Sequence, residues 1–216
     1  MLFGDPLRKV MADAVQVRDL ANFQWTFIAL LAVVFYVYLT EIQNRNYKAV
    51  IAGISLYLVH WFYEIMNAVI AGVSGYALWT VSNESTSLVL LIGVSWELSM
   101  MFSIAGIIAF KHLPEDRNRR LLAGAGRKGI SSKMAVTLAM ALLFSVVEIF
   151  LAATPAFIWV YRWWGALPVF ITTYIPFFLA ACYVPDANPR FQKIFIGSLV
   201  IVNALLLIIL VPLGII

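Results

Sequence analysis

Charge is spaced along this chain in a way that few folds can accommodate. Residues 49–63, 85–96, 98–110 and 134–147 contain no Asp, Glu, Lys or Arg. Extended by their apolar flanks, such runs reach the ~20 residues that a helix rising ~1.5 Å per residue needs to cross a ~30 Å hydrocarbon layer. Only 12% of the 216 residues are charged, against about 25% in a soluble domain, so a water-facing surface could not be clothed. The chain therefore reads as an all-α polytopic membrane protein with about six transmembrane helices. The spans are expected at residues 23–40, 49–73, 87–110, 134–153, 167–184 and 191–216.

Two parts follow from this: an N-terminal segment, 1–22, and a six-helix transmembrane domain, 23–216. Residues 5–20 predict an interfacial amphipathic helix, with Leu7, Val10, Met11, Ala14 and Val17 on one face. Residues 1–20 hold no continuous apolar segment, so the first span is expected to remain as a membrane helix and not to act as a cleaved signal. Lys and Arg set the orientation. The loop 111–133 holds seven, residues 44–48 two and residues 190–193 two; the other side has three in the N-terminal segment and Arg162. The positive-inside bias then makes the 111–133 loop cytoplasmic and both termini non-cytoplasmic.

The net charge of +4 is accounted for by this juxtamembrane loop, and no nucleic-acid-binding module accompanies it. One cysteine, Cys182, and two histidines, His60 and His112, offer no metal-ligand or haem set. No metal or cofactor is expected. Oligomeric state is left open.

Ionisable groups within spans cost ~2–3 kcal/mol or more each at mid-depth, and each needs a reason. Glu64, Glu97 and Glu148 lie well inside three consecutive spans, at similar expected depths, with no Lys or Arg near them in the same span. His60, Glu64 and Asn67 recur at i, i+4 and i+7, one helical face, bordered by Tyr57 and Trp61. Trp96 adjoins Glu97, and a Trp face can stabilise a cation. Tyr174, followed by the helix-kinking Pro176, and Asn203 are polar groups of later spans able to complete a pocket. A carboxylic acid in an apolar cavity stays able to donate a proton. Glu64 or Glu97 is the expected acid, His60 an orienter or relay, Glu148 a proton acceptor, and Trp61 and Trp96 the cation-stabilising faces.

At these residues the sequence resembles the emopamil-binding (EXPERA) group of sterol isomerases and sterol-binding membrane proteins. The features are His60-x-x-x-Glu64, Ser95-Trp96-Glu97 and Val146-Val147-Glu148, with a loosely similar helix bearing Tyr174 and Pro176. The likeness covers residues 54–184 and rests on spacing; six spans and an N-terminal amphipathic segment depart from that family's smaller bundle. A fainter likeness is to the small membrane terpene cyclases of meroterpenoid pathways. Both resemblances imply proton transfer to an alkene or epoxide of an isoprenoid, sterol or other lipid-like substrate through a carbocation. Two other classes remain open: a proton- or cation-coupled transporter, and a non-catalytic lipid-binding or partner subunit whose acids join helices.

The orientation has a direct check. Cysteines placed at Arg119 and at Gly75, in a chain lacking Cys182, should react with a membrane-impermeant thiol reagent from opposite sides. Reaction of both from one side refutes the six-span arrangement.

Overall fold

A computed structural model describes residues 15–83, 86–121 and 129–216. Six helices run through it: α1 (Phe27–Gln43), α2 (Tyr47–Ser74), α3 (Trp96–Lys111), α4 (Ser132–Ala152), α5 (Ala166–Asp186) and α6 (Pro189–Leu210). Four of them, α2, α4, α5 and α6, are long and apolar enough to cross a membrane; α1 is apolar but has 17 residues. Three two-stranded antiparallel ribbons join them: β1 (Trp79–Val81) with β6 (Phe157–Trp159), β2 (Val89–Leu91) with β3 (Val94–Ser95), and β4 (Arg120–Leu121) with β5 (Ile130–Ser131).

The expected span at 87–110 is a correction. Its charge-free first half does not continue the helix; it folds back as the β2–β3 hairpin around Ile92 and Gly93, and α3 begins only at Trp96. The local chemistry explains the switch. Val89, Leu90, Leu91 and Val94 suit short strands, and Ser95 caps the new helix by accepting a hydrogen bond from the Leu98 amide at 3.3 Å. Glu97 then falls in the first turn of α3, where a carboxylate complements the helix dipole. It is not a mid-span residue.

The amphipathic helix expected over 5–20 lies mostly outside the described residues. Its described end, 15–19, is not helical and runs along the hairpin instead. Arg18 donates from its amide to Val89 O at 2.8 Å, and from its guanidinium to Leu90 O at 3.1 Å and the C-terminal Ile216 O at 2.9 Å.

Helices α2–α5 form the central bundle, and α2 and α3 make its most extensive contact. Small residues permit this approach: a Cβ on Gly106 would stand 2.4 Å from Ala52 O. Ala49, Ala52, Ala105 and Ala109 line the same seam, all buried. Helix α6 lies outside the bundle with a lipid-facing surface of exposed residues such as Ile201, Leu205 and Ile208. Its buried Asn203 donates to Leu58 O of α2 at 2.9 Å, a tie between helices and not a member of the central pocket.

The two ends differ in charge. At one end Asp186 binds Lys48 at 2.9 Å, Lys133 at 2.8 Å and also Arg117, while Glu41 pairs with Lys111. These contacts gather the segments 41–48, 111–117, 133 and 184–190 at a single end. Ribbon β1–β6, hairpin β2–β3 and the C-terminus close the other.

Gly106→Ala should force α2 and α3 apart, because the contacted atom is backbone and cannot turn aside. A loss of about 1–3 kcal/mol in unfolding free energy is expected, measurable by denaturant titration in micelles. Unchanged stability would mean the helices meet less closely than described.

Candidate functional site

Along their helices, Glu64 stands ~26 Å from the start of α2, Glu148 ~24 Å from the start of α4, and Glu97 ~21 Å from the Lys111 end of α3, at ~1.5 Å per residue. All three are therefore at similar heights above the basic end. Direction separates them. Glu64 and Glu148 line one cavity of about 200 Å³ within α2–α5, together with His60 and Tyr174. Glu97 does not line it. Its carboxylate accepts from the Ser87 amide at 2.7 Å and from the Thr86 hydroxyl, which ties the 86–87 segment to the start of α3.

The two cavity carboxyls share a mode of support. Trp79 and Trp159 are directly opposed in the β1–β6 ribbon, so their side chains leave the same face. The Trp79 indole N–H donates to Glu64, with Nε1 3.2 Å from Oε2 and 3.3 Å from Oε1. The Trp159 indole N–H donates to Glu148 Oε1 at 2.6 Å, and the Tyr174 hydroxyl donates to its other oxygen. Acids from two helices are thus held by one pair of cross-strand neighbours. Asn67 fixes the ribbon in turn, accepting from the Leu78 amide at 2.8 Å and donating to Trp79 O at 2.9 Å.

Gly93, at the tip of the β2–β3 hairpin, closes against this group. A Cβ there would lie 2.4–2.6 Å from Asn67 Nδ2, Trp79 Nε1 and Glu64 Oε2, so only glycine fits.

His60 is 1% exposed. Its ring stacks on Phe102 at 4.2 Å and meets Phe177 edge-on at 5.9 Å. Nε2 lies 3.3 Å from Glu64 Oε1, but neither ring nitrogen makes a hydrogen bond within the described structure. Tyr174 reaches Glu148 from a π-helical turn, Phe170–Tyr174, in which the Ile175 amide bonds back to Phe170 O. Such turns recur at functional sites.

Trp61 and Trp96 are corrections as cavity-lining rings. Trp61 packs beside the cluster of Ile65, Ala68, Leu91 and Val94, and Trp96 stacks on Phe27 of α1 at 5.6 Å. Trp61 follows His60 and is turned about 100° from it around the helix, and Trp96 adjoins Glu97, which itself lies off the cavity. Tyr57 likewise turns to Ser99, 3.0 Å from its hydroxyl. The rings that do face the cavity include Trp79, Trp164, Phe102, Phe144 and Phe177, with Trp164 stacked on Trp79 at 5.6 Å. The sequence carried one signal for the tryptophans. Two short aromatic and β-branched stretches, 79–81 and 157–159, follow the acid-bearing spans on the same side.

The cavity opens sideways. Met101 of α3 and Leu143 and Val147 of α4 border it and are 36%, 53% and 43% exposed. Helices α3 and α4 barely touch, whereas α2 and α5 pack closely behind the cavity. Among the described residues, no cluster of three or more His, Cys, Asp or Glu could hold a metal ion.

A model for an uncharacterized membrane protein family matches residues 9–212. The chain belongs to that family. A protein of Archaeoglobus fulgidus, described as an uncharacterized protein, is 40% identical over 174 residues, which is 79% of this chain and 80% of the relative. No solved structure matches. Integral membrane character thus has support from family and fold alike, while the likeness to the emopamil-binding group stays with the spacing of the acids.

Glu97→Gln tests the division between the acids. The Gln oxygen can still accept from the Ser87 amide while the Thr86 hydroxyl reverses to accept from the amide nitrogen, so stability should change by about 1 kcal/mol or less, and ligand occupancy of the cavity should be unchanged. Loss of occupancy at intact stability would return Glu97 to the site.

Proposed function

We propose that this protein is an intramembrane acid-catalysed isomerase or cyclase of an isoprenoid, sterol or other lipid-like substrate. The observation that carries the reading is the convergence of Glu64 and Glu148 on one aromatic-walled cavity with a mouth on the lipid side. Two acids serving only to join helices would not need a void between them, and keeping both in hydrocarbon costs free energy unless they share polar partners.

The chemistry balances with the chain's own groups. Glu64 gives its proton to an alkene carbon, forming a C–H bond, and positive charge develops on the neighbouring carbon. The faces of Phe102, Phe144 and Trp164 surround that charge in a site poor in water. Glu148 takes a proton from the next carbon, and the electrons of that C–H bond become the shifted double bond. In a cyclase, a second alkene attacks the cation before the proton leaves. The site resets when Glu148 releases the proton it took and Glu64 regains one, for which His60, 3.3 Å from Glu64, is the adjacent carrier. Trp79, Trp159 and Tyr174 aim the carboxyls and are positioning residues. The implied likeness to sterol isomerases and terpene cyclases agrees with this reading in the role of membrane-embedded acids.

The same reading places the basic end in the cytoplasm. The three cations around Asp186 and the adjoining 111–133 loop sit there, with both termini at the opposite end. The cavity acids then lie nearer the outer side.

Lipids that co-purify with the protein, identified by mass spectrometry, supply candidate substrates. Glu64→Gln and Glu148→Gln should each slow their conversion at least about 100-fold and keep the fold, since the Tyr174 hydroxyl can reverse to accept from an amide. Full conversion by both variants would eliminate acid catalysis. Proton flux across vesicles without any lipid conversion would favour transport.

A further inference from the structure

Nine buried polar atoms among the described residues lack a partner, and four of them belong to residues that line one cavity. His60 Nδ1, Trp164 Nε1 and Thr173 Oγ1 lack a hydrogen-bond partner within the described structure, His60 Nε2 has the 3.3 Å approach of Glu64 but no hydrogen bond, and all three residues line the cavity of the two acids. They are 1%, 6% and 7% exposed, so lipid and bulk water do not reach them. A polar group buried unpaired bears the full cost of its lost hydration. Three around one void indicate that something else completes them.

Their chemistry narrows what that is. An indole N–H only donates, so Trp164 requires an acceptor. In the proposed reaction Glu148 starts as a carboxylate, and in the same walls it repels a carboxylate or phosphate. A neutral oxygen remains: a hydroxyl, carbonyl or ether.

Position narrows it further. His60 belongs to α2 and Thr173 to α5, the closely packed pair behind the cavity. The mouth lies across from them between α3 and α4. The cavity volume is about 200 Å³. It falls below the ~300 Å³ at which pockets begin to enclose a whole drug-sized ligand.

We infer that the ligand of this site is a neutral, singly oxygenated amphiphile that enters oxygen first, seats that oxygen on Trp164, Thr173 and His60, and leaves its hydrocarbon tail in the lipid between α3 and α4. The inference rests on the cavity being the substrate site of the proposed reaction. It adds that the double bond acted on lies within the first few carbons from the oxygen, since only that part of the molecule reaches Glu64 and Glu148.

The probes are farnesol, farnesal, farnesoic acid and the hydrocarbon farnesene, each added at equal concentration to the purified full chain in maltoside micelles. The readout is the shift in unfolding temperature across a ligand titration. Farnesol and farnesal should raise it, and the acid and the hydrocarbon should not. Thr173→Val and Trp164→Phe preserve shape and each should weaken farnesol binding about tenfold. Equal shifts from farnesene and farnesol would mean that water alone satisfies these atoms and would overturn the inference. So would a largest shift from the acid, no shift from any probe, or unchanged farnesol affinity in both variants. Binding is read separately from turnover: selective farnesol binding that persists in Glu64→Gln, with no lipid converted by the unaltered protein, leaves this inference standing and removes the catalytic one.

Discussion

Two carboxyl groups in the interior of a membrane protein need hydrogen-bond donors that stay in place, and this chain supplies them from a two-stranded ribbon. Trp79 and Trp159 face each other across β1 and β6, and each indole N–H meets a different acid, Glu64 on α2 and Glu148 on α4. The ribbon is short, but every neighbouring element bears on it. Asn67 holds its first strand, Gly93 brings the second hairpin against it, and Trp164 stacks on Trp79. Strand pairing beside membrane helices is tolerated where its backbone groups are satisfied and enclosed by protein, and all three residues of β1 and of β6 are buried. The arrangement fixes the separation and aim of the acids without placing a cation beside them.

The helices supply the shape around that polar centre. Close contact of α2 with α3 through Ala52 and Gly106, and of α2 with α5, makes a solid back. The sparse contact of α3 with α4 leaves an opening of aliphatic side chains. A site with a rigid rear and a lipid-facing slot suits a molecule that resides in the bilayer and never needs to cross water. Asp186, surrounded by Lys48, Arg117 and Lys133, pins the far end of the same helices, so the opening is not paid for by looseness throughout the bundle.

The sequence made the membrane class, the six helices and two of the three acids legible, because burial in hydrocarbon leaves a strong mark on composition and makes each stray charge conspicuous. His60 and Glu64 were readable as a pair from their i, i+4 spacing. Glu97 was misplaced for an identifiable reason: an apolar run without charge is equally compatible with a spanning helix and with strands buried in protein, and only tertiary contact decided between them. The tryptophans show the same limit from the other side. Adjacency in sequence put Trp61 and Trp96 beside the acids, yet neighbours along a helix point in different directions. Trp79, fifteen residues from Glu64, sits in an aromatic and β-branched stretch that hints at a strand, but nothing local says that this strand pairs with 157–159 or returns to the acid.

The π-helical turn in α5 has a consequence for how this site can change. One residue more than an α-helix would hold is accommodated between Phe170 and Tyr174, and one residue is worth about 100° of rotation. The segment before the turn and the segment after it are therefore phased independently. Thr173 and Tyr174 of the turn and Phe177 of the segment after it all face the cavity, and Phe178 packs in the core. A lineage that lost a single residue here would keep a continuous, equally apolar helix and an intact bundle, but the hydroxyl on Glu148 would swing away. Chemistry and fold are thereby separable at one position of the chain, so a length change in this stretch is a sharper marker of altered activity among relatives than any substitution in the surrounding apolar wall.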